Sequence, residues 1–99
     1  MAESYHEPTE LISETGRDYF RAIQSMIEEL QAIEWYNERI EASKDKELAG
    51  ILAHNRDEEK EHATMLLEWL RRRDEAFSKE LKDYMFTTGD LLKMEDEKD

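Results

Sequence analysis

Two long runs of apolar residues on a helical period, in a chain with a single proline, leave little room for anything but long helices. From about Thr9 to Ser43, Tyr19, Ile23, Met26, Ile27, Leu30, Ile33 and Ile40 mark one stripe at spacings of three, four and seven. From about Lys46 to Arg73, Leu48, Ile51 and Leu52 open a second stripe, which Met65, Leu66, Trp69 and Leu70 close after a polar stretch. Pro8 or Thr9 can start the first helix, and Gly16 is a weak point within it. Asp45 is the expected N-cap of the second, with Glu47 in its first turn. Arg71, Arg72 and Arg73 place positive charge at its negative end. The five-residue break from Ala42 to Lys46 predicts an antiparallel hairpin. A shorter helix over about 74–86 carries Phe77, Leu81, Tyr84 and Met85, and residues 87–99 form a charged tail expected to fray. With no internal repeat and no linker, residues 1–99 read as one all-α domain.

Two long amphipathic helices and a short one cannot cover both sides of their own stripes. Dimerisation into a four-helix bundle is the simplest remedy. A hairpin that packs on some other protein is the alternative. Composition narrows the partners. Asp and Glu number 26 against 14 Lys and Arg, a formal net charge of −12, which opposes nucleic acid and anionic membrane surfaces and suits cations. The absence of cysteine excludes disulfides, thiolate metal sites, Fe–S clusters and cysteine nucleophiles together. No apolar run approaches the ~20 residues of a membrane span. The amino terminus, Met1-Ala2-Glu3-Ser4-Tyr5-His6-Glu7, has neither the basic nor the apolar region of a secretory leader, so a soluble, cytoplasmic protein is expected.

The polar stretch Ala53-His54-Asn55-Arg56-Asp57-Glu58-Glu59-Lys60-Glu61-His62-Ala63 interrupts a helix whose two ends are apolar on one face. Continuing that face inward puts Asn55, Glu58 or Glu59, and His62 where core residues belong. Glu59 and His62, three apart, are neighbours on the helix surface. A carboxylate and an imidazole in a core are costly unless something pairs with them, and a metal ion does so. On the first helix, Glu29 borders the apolar stripe, about 40° from Ile33 and about 60° from Met26. Tyr36, seven residues on, shares its face and can offer a hydroxyl to the same site. Di-iron sites in ferritin-like bundles take a Glu from each of two helices and a Glu-x-x-His from each of the other two. This chain holds one of each, hence half a site. Two copies would supply two Glu29, two Glu59 and two His62, four carboxylates against two divalent cations. Such ligands suit Fe(II), Mn(II) or Zn(II) without choosing among them. A solvated acidic helix face with no ligand is the bland alternative.

A second constellation lies beside the first. His54, Glu58 and Glu61 share a face about 100° from that of Glu59 and His62. Glu28, Gln31 and Trp35 share a face on the first helix. By spacing alone these are a polar interface between hairpins or a weaker cation site. His6 reads as a free, exposed histidine.

The segments Glu28-Glu29-Leu30, Trp35-Tyr36, Ile51 to Ala63 and Leu67-Glu68-Trp69-Leu70-Arg71-Arg72 closely resemble the encapsulated ferritins, and His6-Glu7-Pro8 and Tyr84-Met85-Phe86-Thr87 extend the likeness over nearly the whole chain. The resemblance implies half-ferritins whose hairpins dimerise into a four-helix ferroxidase and assemble into a ring-shaped decamer. It implies oxidation of Fe(II) by O₂, with storage left to an encapsulin nanocompartment in the cytoplasm. It implies Glu29, Glu59 and His62 as di-iron ligands across a dimer interface, with Tyr36 close by. Glu28, Gln31 and Trp35 then belong to an outer metal-uptake region, and His54, Glu58 and Glu61 to a peripheral cluster for other divalent cations. The chain departs from the family pattern twice. Gln31, a neutral and poorer ligand, stands at a carboxylate position, and Met94-Glu95-Asp96-Glu97-Lys98-Asp99 does not match the family's Gly/Leu-rich peptide that docks in the encapsulin shell.

Overall fold

The computed structural model describes residues 5–98. Met1 to Ser4, read above for a leader, and Asp99, the end of the charged tail, lie outside the described residues. The chain is all-helical there: a 3₁₀ turn at Thr9–Leu11, then α1 (Glu14–Ala42), α2 (Lys46–Arg73), α3 (Glu75–Tyr84) and α4 (Leu91–Lys98). It divides into two compact units, one through Trp69 and one from Leu70. No helix among the described residues is long and apolar enough to cross a membrane.

In the first unit, α1 begins at Glu14 rather than near Thr9. Pro8 and Thr9 start only the 3₁₀ turn, after which Ile12 is extended. Ser13 then caps α1, its side chain accepting from the Gly16 amide at 3.0 Å. Gly16 is therefore not a weak point within a longer helix but part of its first turn. A methyl group there would meet Ile12 Cγ2 at 3.1 Å. The Arg17 guanidinium donates to the Thr9 carbonyl, and Tyr5 stacks on Phe20 with ring centroids 4.0 Å apart. Only Ser43, Lys44 and Asp45 separate α1 from α2. Asp45 accepts from the Leu48 amide at 3.0 Å, satisfying a donor that a helix start leaves free.

The hairpin is antiparallel: Asn37 meets Arg56 (Arg56 Nη1 to Asn37 Oδ1, 3.0 Å), while the earlier Glu29 meets the later His62. Ala22 and Ala63 are the buried apolar residues of this unit, and their small side chains suit a close helix approach. Much of the rest of both stripes stays in solvent. Ile27, Leu30, Ile51 and Met65 are 44%, 54%, 55% and 59% exposed.

In the second unit, Leu70, on the last turns of α2, is fully buried. Asp74 caps α3 by accepting from Phe77 N at 2.9 Å, and Arg71 donates to Ser78 Oγ at 3.2 Å. The third helix ends at Tyr84, two residues short of the expected 86, and Phe86 takes a left-handed backbone (φ 62°) with its ring fully exposed. The tail expected to fray instead contains α4. Asp90 accepts from the Leu92 and Lys93 amides, each at 3.1 Å, and Lys98 reaches Glu80 at 2.7 Å and Asp83 at 3.1 Å. A charge-rich composition gave no sign of that specific cap and anchor.

Candidate metal centre

Glu29 projects from the middle of α1, and Glu59 and His62 from adjacent turns of α2. Their donor atoms lie within 4.8 Å of one another, and among the described residues they are the one group of three or more such ligands. His62 Nδ1 is 3.6 Å from Glu29 Oε2 and 3.7 Å from Glu59 Oε2. These separations are too long for hydrogen bonds. They match donors that share one ion, since two ligands about 2.1 Å from a metal and about 120° apart are about 3.6 Å from each other.

The surroundings fit a cation. Both carboxylate side chains are 25% exposed and the imidazole 41%. Glu29 Oε2 is buried with no hydrogen-bond partner. A buried, unpaired carboxylate oxygen is costly, and a cation removes the cost. Two carboxylates and an imidazole, with no sulfur, suit Fe(II), Mn(II) or Zn(II). Three ligands also leave coordination positions for further donors.

The other residues singled out by sequence are placed differently. Tyr36 is half-buried on the Glu29 side of α1, with the Arg39 guanidinium 5.6 Å from its ring centroid. Glu28, Gln31 and Trp35 are exposed along another flank of α1, some 100–160° around from Glu29. His54 Nε2 meets Glu58 Oε1 at 2.6 Å, both side chains more than half exposed. Glu61 does not join them in a three-ligand group among the described residues.

Two features escaped the sequence reading. Arg56, its side chain 25% exposed, ties α2 to α1 through Asn37 and also donates to Asp57 at 3.1 Å. Arg56, then Lys60, hold the Asp57 carboxyl below its ordinary range. Arginine beside aspartate in a helix is too common to announce such a tie. The second feature is a cavity of about 500 Å³ against His62, lined by Ala22, Ser25, His62, Met65, Leu66 and Trp69 among others. Met65 and Trp69 had shown only as members of a stripe.

The chain is similar to proteins whose names agree with this arrangement. It is 52% identical over 94 residues to an "Encapsulated ferritin-like protein" of Rhodospirillum rubrum, covering 95% of this chain and 67% of that one. It is 45% identical over 97 residues to a "Ferritin-like protein" of Thermotoga maritima, covering 98% and 85%. The crystal structure of protein ne0167 from Nitrosomonas europaea matches with a TM-score of 0.86 and 62% identity over 89% of this chain and 97% of that one. The sequence model of the EncFtn-like family matches residues 4–88. The chain belongs to the EncFtn-like family of encapsulated ferritins.

Proposed function

We propose that this chain is half of a ferroxidase, with Fe(II) as substrate and O₂ as oxidant, completed when two copies join their hairpins. The observation that carries the reading is the convergence of Glu29, Glu59 and His62, with Glu29 Oε2 buried and unpartnered. One copy supplies two carboxylates and one imidazole. Two copies supply the full set of a ferritin-like di-iron centre. The exposed stripe residues Ile27, Leu30, Ile51 and Met65 support dimerisation, since a second copy would remove them from water. In the dimer, Glu59 and its mate would hold the two irons between the copies, with Glu29 and His62 of each copy holding one of them. Tyr36 stands near the pair. Residues 1–99 act as one half-ferritin domain, and the dimers assemble into a ring-shaped decamer.

The chemistry balances simply. Two Fe(II) ions give up two electrons to one O₂, which takes two protons and leaves as hydrogen peroxide, with two Fe(III) as the other product. The carboxylates offset the rising metal charge, and the net charge of −12 draws Fe(II) to the surface. Glu28, Gln31 and Trp35 form the outer uptake region, and His54, Glu58 and Glu61 a peripheral cluster for other divalent cations. The name of the Rhodospirillum rubrum relative supports enclosure in an encapsulin shell, and the same reading makes that shell, in the cytoplasm, the place of work and the iron store.

The test is anaerobic loading with Fe(II) followed by oxygen. The parent protein is expected to oxidise iron far faster than buffer, and Glu29→Ala and His62→Ala to fall to the buffer rate. Stoichiometric binding without faster oxidation would leave a redox-silent metal binder. An oligomer indifferent to metal would leave a helical assembly module.

A further inference from the structure

The proposed reaction releases peroxide beside a cavity that Asp18 and Arg21 line together with apolar side chains, and one wall of that cavity is a methionine. Met65 lies three residues from His62, hence on the adjacent turn of the same face of α2, and the two side chains line the same space of about 500 Å³. Met65 is 59% exposed in the single chain and would be covered by the second copy in the proposed dimer, so the oxidant nearest its sulfur there is the one formed at the adjoining metal centre rather than one from bulk water. The carboxyl groups of Glu29 and Glu59 offer peroxide no oxidisable atom, which leaves the His62 ring as the vulnerable member of the triad. Cysteine, which would compete for the peroxide, is absent from the chain. Three other described methionines differ in placement. Met26 is half-buried, while Met85 (46% exposed) and Met94 belong to the second unit and do not line this cavity.

We infer that Met65 is a modification site, a thioether that takes up hydrogen peroxide formed at the metal centre and becomes the sulfoxide. The inference rests on the ferroxidase reading, which supplies the peroxide. In the step, a sulfur lone pair attacks one peroxide oxygen, an S–O bond forms and the O–O bond breaks. The departing hydroxide takes the proton of the transferred oxygen and leaves as water. Sulfur loses two electrons and peroxide gains them. The product is polar where the thioether was apolar, and sulfoxide reductases reverse the change. Met65 would thus guard the His62 imidazole at the cost of its own side chain.

The experiment compares two treatments of the full chain by peptide mass mapping. One is Fe(II) with O₂ at a few irons per chain; the other is bulk hydrogen peroxide added to metal-free protein at the same total dose. Turnover is expected to add about 16 Da to the Met65 peptide, with the Met65-to-Met85 oxidation ratio about fivefold or more above that from bulk peroxide. In Met65→Leu, the peroxide recovered per iron oxidised is expected to rise. Fast iron oxidation with an unchanged Met65-to-Met85 ratio overturns the inference and leaves the ferroxidase reading standing. Iron oxidation at the buffer rate removes both.

Discussion

Glu29 shows what a single residue can reveal in a protein this small. One of its oxygens is buried without a partner, beside a second carboxylate and an imidazole that approaches both without bonding to either. In the metal-free protein this is a local cost. Glu29→Gln is therefore expected to stabilise the metal-free chain by about 1 kcal/mol, through relief of like charge and of an unmet acceptor. Zn(II) is expected to raise the melting temperature of the parent, and the same change should erase that rise. Thermal unfolding with and without Zn(II) measures both effects, and an equal metal-induced rise in parent and variant would falsify the role of Glu29. The Glu59–His62 spacing and the position of Glu29 beside a stripe were legible because helical periodicity converts sequence distance into angle. The Arg56–Asn37 tie was not, because its partners are 19 residues apart on different helices.

At the scale of elements, side-chain caps set where helices begin. Ser13 accepts from Gly16 N at the start of α1, and Ser13→Ala is expected to cost about 1 kcal/mol in denaturant unfolding. Asp45 was recognisable as a cap, standing just before a periodic run. Ser13 was overlooked because Pro8 and Thr9 offered an earlier start that the chain uses only for a 3₁₀ turn. The last helix has the Asp90 cap and is tied down by charge pairs as well. Hydrogen bonds from Lys79, and then Lys98, hold the Asp83 carboxyl below its usual range, while Glu80 and then Asp83 raise the Lys98 ammonium above its own. The sign follows from each shift. Asp83 contributes stability above the ordinary carboxylate value of about 4, lost as pH falls through its lowered value. Lys98 contributes below the ordinary lysine value of about 10.4, lost only above its raised one. The anchoring of α4 is thus flat at neutral pH and weakens in acid. Hydrogen exchange at the Met94 amide, which donates to Asp90 O at 3.0 Å, should quicken relative to its intrinsic rate below about pH 4. The effect should be small, because the pairs are solvent-facing. Unchanged protection down to pH 2 would remove this account of α4.

For the whole molecule the question is what covers the stripe. Among the described residues of the first unit only Ala22 and Ala63 are buried, while Ile27, Leu30, Ile51 and Met65 stand in solvent. If a second copy covers them, Ile51→Asp puts a charge into the interface while leaving every ligand in place. Native mass spectrometry is expected to show loss of the oligomer, and iron oxidation should fall with it although the triad is intact. A variant that keeps both its mass and its rate would show that this face is not the dimer contact.

Sequence by itself determined the two long helices, their antiparallel pairing and the three candidate ligand residues. Each follows from local spacing, where 3.6 residues per turn decides which side chains share a face. It also carried the family likeness, since long segments match. Only the tertiary structure decided that Glu29 meets Glu59 and His62 while Glu28, Gln31 and Trp35 remain on an outer flank, and that a methionine shares a cavity with the histidine. It alone turned a charged tail into a capped and anchored α4. The meeting of Glu29 with the α2 pair and the Lys98 anchor depend on contacts between residues distant in the chain, which no local period encodes, while Met65 and the Asp90 cap act between near neighbours whose surroundings the fold sets.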